Sequence, residues 1–440
     1  MISRKYVYLL LIALVFVPQA LFAETLVLSL EKCLEMAGQN SEKIQVKDLG
    51  IEGAQWRYQE SLAGGKPVFE YKDRIAPVPT DADHPAESFF NGDLTFFNSF
   101  RFGVGVPLYA SGKLTTAKNL GLKGIEEARM RHRMEKEEVE FEVKQLYFGI
   151  LLGSEMNYLF KDAVEKINKQ LAQEEEEPKH SPYEIAKLKV FKLELAKRMN
   201  ETGEKIELAK EALRLHLGIQ EEHSFRLQEA ELLPVTRAVH PLSYYLQGVR
   251  QNRPDWQLID IGVAAKRLQL RLEKQQPLPN VGFGGFFEIG RTTGDIQNLS
   301  ATDGLNNPFN YTRAGIGIEI TGKFDWNSFR SKVKRLRSEV KKATLEESLA
   351  KKGIDLEVQK AYEELQRDGK NLALAEERKK LARQMMFLSK SNLEVGVGNE
   401  EEYTDALQLV LMSKGEYYKA VFDYNVAFAK LEWKAGEKQQ

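Results

Sequence analysis

The sequence predicts a mainly α-helical protein with a small β part: long antiparallel coiled-coil helices and four strands per chain. Three observations carry this. Apolar residues recur at gaps of 3, 4 and 7 along very long stretches, four shorter stretches alternate with period 2, and the whole series occurs twice.

The helical spacing is clearest at Val139, Val143, Leu146 and Ile150, which step by 4, 3 and 4. Ile185, Leu188, Leu195, Met199, Leu213 and Leu217 keep that register in the returning helix, and Leu407, Val410, Tyr417, Val421, Tyr424, Phe428 and Leu431 keep it in the last. These gaps place the side chains on one seam that must bury against another helix. At 1.5 Å per residue, a helix over about 111–173 is roughly 90 Å long. An ordinary bundle core explains the seam but not helices of that length joined to strands.

The duplication rests on an ordered series of matches. Pro67 matches Pro279, and Gly103 and Gly105 match Gly315 and Gly317. VEFEVKQLY (139–147) aligns with IDLEVQKAY (354–362), sharing Glu142/Glu357, Val143/Val358 and Tyr147/Tyr362, and Gly218 and Gly436 close the two copies. The offsets grow slowly, through 212, 215 and 218, as small insertions accumulate. Repeat 1 covers 24–220, with a helix over about 30–63 capped by Ser29, strands near 67–75 and 97–108, and helices over 111–173 and 183–217. A linker occupies 221–240. Repeat 2 covers 241–436, with a first helix, strands near 279–289 and 311–321, and helices over 327–393 and 400–433, followed by a polar tail at 437–440. Gly396 and Gly398 separate the last two helices.

Before the first repeat, Arg4 and Lys5 precede an apolar run from Tyr6 to Val17, and Leu21-Phe22-Ala23 ends in a small residue. This is the layout of a secretory signal peptide, residues 1–23, although a short buried helix would share its hydropathy. Composition excludes other classes. With 63 basic and 64 acidic residues the net charge is −1, which offers no electrostatic footprint for nucleic acid. The single cysteine, Cys33, precludes an intrachain disulfide and reads as a small apolar residue on a helix. Beyond the leader no run of 18 apolar residues occurs, so membrane-spanning helices are not expected, whereas alternating barrel strands remain open.

The strands favour a barrel. Phe100, Phe102, Val104, Val106 and Leu108 alternate with Ser99, Arg101, Gly103 and Gly105; Ile316, Ile318 and Ile320 alternate with Gly315, Gly317 and Glu319. One face is thus read as lipid-facing (Phe100, Phe102, Val104, Val106, Ile316, Ile318) and the other as lumenal, with Arg101 and Glu319 on it. Phe89, Phe90, Phe96, Phe97, Phe309 and Tyr311 are expected to form an aromatic girdle near the loop ends. A soluble hairpin half-buried on a helical body is the competing reading. If the strands do lie in a bilayer, four cannot close, and open edges leave unsatisfied backbone groups at several kcal/mol each. Identical chains must then share one barrel.

LSLEKCLEMAGQNSEKI (28–44), GVGVPLYASGK (103–113), Arg253-Pro254-Asp255, PLPNVGFGG (277–285) and EVGVGNEEEYTDAL (394–407) together resemble the TolC-type outer-membrane efflux family over essentially the whole mature chain. The resemblance implies a homotrimer with a shared 12-stranded outer-membrane β-barrel, a periplasmic α-barrel and an equatorial region around the 221–240 linker. It implies a Gram-negative outer membrane, a periplasmic adaptor (membrane fusion protein) and an inner-membrane pump as partners, and a passive exit duct in place of an enzyme. The first-repeat tip departs from the family pattern, with Glu174–Glu177, Pro178, Lys179 and His180 where a glycine turn is usual.

Site candidates follow. Glu400, Glu401, Glu402 and Asp405 would form a carboxylate ring if three copies met on an axis, a gate biased toward cations; acids at a helix start also simply suit the dipole. Val395, Gly396, Tyr403, Pro178 and Pro182 are the docking candidates for the adaptor, Gly396 being also a natural helix C-cap. No cofactor, metal or catalytic residue is expected: the six histidines lack ligand spacing, and the GxG pairs lie within strands. A protein-secretion duct keeps the same fold, and a periplasmic coiled-coil adaptor is the rival from another class.

Overall fold

The computed structural model describes residues 26–176, 181–220, 222–297, 307–397 and 400–437. The expected signal peptide, Pro178, Gly398 and residues 438–440 lie outside them. In chain order the elements are β1 (Leu26–Leu28), α1 (Leu30–Asn40), α2 (Glu42–Ala63), β2 (Val68–Pro79), α3 (Pro85–Asn91), β3 (Leu94–Tyr109), α4 (Lys113–Glu176), α5 (Pro182–Leu217), β4 (Phe225–Leu227), α6 (Leu242–Asn252), α7 (Pro254–Gln275), β5 (Asn280–Thr292), β6 (Tyr311–Thr321), α8 (Trp326–Val395) and α9 (Glu400–Ala435). The chain is mostly helical with a small sheet part.

Two expectations need correction. The helix expected over 30–63 is two helices: Ser29 caps α1 as foreseen, its side chain accepting the Lys32 N–H at 3.2 Å, but Ser41 takes an extended conformation (φ −62°, ψ 121°) and the chain restarts as α2. Repeat 2 breaks at the equivalent place, Arg253 (φ −72°, ψ 122°), where Pro254 disfavours a helical residue before it. The 221–240 segment is also more than a linker, because it holds β4, which pairs in parallel with β1.

The chain divides into two compact units, and each takes pieces from both repeats. The first comprises residues up to 47, 132–254 and 353–440. Its core gathers Leu28, Cys33, Val139, Val143, Tyr147, Leu213, Leu217, Leu232 and Val421. The seam residues read from the sequence are here: Val139, Val143 and Ile150 of α4, Leu213 and Leu217 of α5, and Val421, Phe428 and Leu431 of α9 are all buried. Tyr147 donates its hydroxyl to the Leu28 carbonyl at 3.2 Å, and buried Asn425 holds the segment after β4 through Val235 N–H and Leu233 C=O. Burial pushes the Cys33 thiol up to about 12, with Glu229 adding to the shift.

The duplication reappears in this unit as a pair of matching junctions. Glu142 accepts Lys43 at 2.8 Å and lies 3.4 Å from His216; Glu357 accepts Arg253 at 2.8 Å and lies 3.5 Å from Lys434. His216 and Lys434 sit at the same offset, 218, as Gly218 and Gly436. Both glycines end their helices with left-handed φ, +64° and +67°, and a β-carbon there would stand 2.8 Å from Asn40 Cβ or 3.0 Å from Arg253 N. Asn40 and Arg253 are at the ends of α1 and α6, so the same helix-end contact is built twice.

The second unit comprises 48–131 and 255–352. Its four-stranded sheet is antiparallel throughout, in the order β2-β3-β5-β6, so the central β3–β5 pair joins strands from the two repeats. Antiparallel α7 and α8 are tied by Asp260–Lys351 (2.6 Å), Lys266–Glu339 (3.0 Å) and Glu273–Lys332 (3.8 Å). Exposed pairs of this kind contribute little energy each, about 0–1 kcal/mol, but they fix the register.

Candidate functional site

The sheet separates its two faces by chemistry. Cross-strand partners share a face, so the register defines rows. One face carries the rows Asp73–Phe100–Ile289–Thr312, Tyr71–Phe102–Phe287–Ala314, Phe69–Val104–Gly285–Ile316 and Val106–Phe283–Ile318. Its large side chains are uncovered: Tyr71 is 80 % exposed, Ile316 84 % and Ile320 71 %. All six residues expected on the apolar face (Phe100, Phe102, Val104, Val106, Ile316 and Ile318) share it. From Phe100 to Leu108 the strand runs nine residues, a length that spans a bilayer core at a tilt of about 45°.

Exposed aromatics bracket this band. Phe89, Phe90 and Phe96 stand toward the α3 end; Tyr109, Phe324 and Trp326 stand toward the helical end, the last two rings 5.6 Å apart. Phe97 and Tyr311 do not join them, contrary to expectation. Phe97 falls on the opposite face by strand parity, packs on Phe309 at 5.7 Å and Tyr311 at 6.4 Å, and both it and Tyr311 are buried.

The opposite face is polar and glycine-rich. Arg101 is there with Gly103 and Gly105, and Glu319 with Gly315 and Gly317. Arg101 stacks over Phe286 at 4.6 Å and approaches Glu288 at 3.7 Å, while Tyr311 donates to Glu288 at 2.8 Å. Sequence reasoning did not single out Phe69, Tyr71, Phe283 and Phe287 on the apolar face, nor Lys72, Glu288 and Arg313 on the polar one. The period-2 signal was present in β2 and β5, but Asp73 interrupts it in one and the Gly-Gly-Phe-Phe run blurs it in the other.

The remaining candidates lie at the α8–α9 turn and the start of α5. Gly396 has φ +80° and its N–H reaches Leu393 C=O, while Val397 N–H reaches Asn392 C=O, a glycine-dependent helix end. Val395 and Val397 are exposed, Tyr403 half-buried. Pro182 is the first residue of α5, behind a capping box in which Ser181 and Glu184 exchange hydrogen bonds. Of the four acids, Glu401 and Glu402 are exposed, Asp405 lies 3.7 Å from Lys187 of α5, and the side chain of Glu400 is outside the described residues. Asp405 is therefore already partnered within one protomer.

Residues 245–436 match the family model of outer membrane efflux proteins. Solved structures extend the likeness to nearly the whole chain. The CmeC outer membrane channel of Campylobacter jejuni aligns at TM-score 0.74 and 15 % identity, over 92 % of this chain and 85 % of that one. The open-state MtrE outer membrane channel of Neisseria gonorrhoeae gives 0.74 and 13 % over 92 % and 88 %, and the outer membrane protein VceC of Vibrio cholerae 0.71 and 14 % over 92 % and 96 %. No curated protein sequence matches the chain. The fold is that of the outer-membrane channels. Repeat 2 thus matches the outer membrane efflux family itself, and the rest of the chain shares the fold of those channels.

Proposed function

We propose that this protein is the exit duct of a tripartite efflux system: three copies share a 12-stranded barrel in the outer membrane, and their long helices continue it as a periplasmic α-barrel. Substrate would be handed over by an inner-membrane pump and a periplasmic adaptor, and the chain would carry out no catalysis. The observation that carries this reading is the uncovered apolar face of the β2-β3-β5-β6 sheet, bracketed by aromatics and backed by a polar face. Lipid would cover Phe100, Phe102, Val104, Val106, Ile316 and Ile318, and the lumen would hold Arg101 and Glu319. Neither β2 nor β6 has a second partner among the described strands, and in a bilayer each open edge would cost several kcal/mol per unpaired group. Closure by further copies removes both edges.

At the periplasmic end, Glu401 and Glu402 would line a cation-attracting constriction together with Glu400, with Asp405 held aside by Lys187. Val395, Gly396, Tyr403, Pro178 and Pro182 would meet the adaptor. The test is direct. The purified mature protein should run as a detergent-dependent trimer and conduct ions in planar bilayers, and Glu401→Gln/Glu402→Gln should lower its cation preference. A water-soluble monomer without conductance would remove the channel reading; unchanged selectivity would remove only the gate.

A further inference from the structure

One row of the polar face stands out. Lys72, Arg101, Glu288 and Arg313 are direct cross-strand partners, so all four strands place a charged residue at the same level. Like charges directly opposite destabilise a sheet, yet Lys72 faces Arg101. Glu288 lies on Arg101 at 3.7 Å, and Arg313 stacks over Tyr311 at 4.3 Å. On the same face, Arg74 is two residues along β2 in one direction and Glu70 two in the other. Four cations therefore face two carboxylates, a surplus of two positive charges per chain; Glu319 lies farther along β6, partnered with Gly282. At the neighbouring levels β3, β5 and β6 present Gly103, Gly290, Gly315 and Ser99 beside Phe286 and Tyr311, the two rings on which Arg101 and Arg313 lie.

Resting on the shared-barrel reading, we propose that the row Lys72–Arg101–Glu288–Arg313 forms, in three copies, a basic ring that binds small multivalent anions inside the barrel. Rings of lysine and arginine are how pores favour anions, and a low-dielectric wall strengthens their field. The ring would thus oppose in sign the acids at the periplasmic end, and anionic solutes would be favoured at the last step of exit.

Citrate is a suitable probe. Added to the loop side of single channels in a planar bilayer, it should reduce the potassium chloride current of the natural protein in a voltage-dependent way. The Lys72→Gln/Arg313→Gln variant, which leaves the Arg101–Glu288 pair in place and cancels the surplus, should need at least ten times more citrate for the same reduction. The charge-keeping Lys72→Arg/Arg313→Lys variant should respond like the natural protein. Equal citrate sensitivity in natural and neutralised channels would overturn the ring while leaving the duct intact; the charges would then only guard the sheet edges of the unassembled chain. Absence of any conductance in the natural protein would instead overturn the duct, and the ring with it.

Discussion

Glu142 and Glu357 show how much of this fold is held by single residues in duplicate. Each accepts a basic group from a helix end and lies close to a second one, near the last turn of α5 or α9. Burial would raise the Glu357 carboxyl, but the hydrogen bond from Arg253 and the nearby Lys434 carry it below its ordinary value. Its contribution to stability is therefore present above that value and lost as the pH falls. His216 responds in the same sense for another reason. Burial lowers the imidazole below 6.5, against the pull of Glu142, so the folded protein binds fewer protons than the unfolded chain just below that pH. Stability should be complete above about pH 6.5 and decline below it. His216→Gln should flatten that decline between pH 6.5 and 5.5, as read by thermal unfolding in detergent; an unchanged slope would contradict the assignment. Gly218→Ala combines a left-handed φ with a β-carbon 2.8 Å from Asn40 Cβ and should cost about 2 kcal/mol or more. Gly396→Ala meets open space and should cost only about 1 kcal/mol, for its φ alone. Equal losses in unfolding midpoint would refute the contrast.

Among the elements, the strands carry the functional information and the helices carry the seam. β3 was readable because apolar and small or polar residues alternate almost without fault from Ser99 to Leu108. β2 and β5 were less so, and their outward Phe69, Tyr71, Phe283 and Phe287 emerge only from the pairing register. Phe97 is the instructive error: it sits next to exposed Phe96, and composition treats the two alike, but adjacent residues in a strand point to opposite faces. The band predicts a depth-dependent cost. Ile318→Arg, in the apolar band, should destabilise the assembled barrel by about 2–4 kcal/mol. Gly317→Ser, one residue away on the polar face with open space around it, should be nearly silent. Heat resistance of the proposed trimer on gels would measure both, and equal tolerance would place the apolar face away from lipid.

For the whole molecule, two compact units drawn from both repeats mean that neither repeat is a separable domain. The central β3–β5 pair and the buried Lys144–Glu432 ion pair at 2.8 Å both require each half to be present. Expressing residues 24–220 alone should therefore give no folded protein, and a cooperative unfolding transition from that fragment would contradict this. On the proposed duct reading, Gly396→Trp, at an exposed helix end with no neighbour to displace, should leave the proposed trimer intact and abolish export in cells. Retained export would remove the adaptor contact from that turn.

Sequence by itself determined the duplication, the long helices, their buried seams and the alternation in β3 and β6. Each of these is a local period, and a period of 3.5 or 2 is imposed by backbone geometry before any distant contact forms. Only the tertiary structure decided the breaks at Ser41 and Arg253, the pairing of β1 with β4, the burial of Phe97 and Tyr311 and the charged row across four strands. Those depend on which residues, far apart in the chain, come to lie side by side. Arg101 could be placed on a face from its neighbours; that Lys72, Glu288 and Arg313 stand level with it could not, because register is set by pairing between strands.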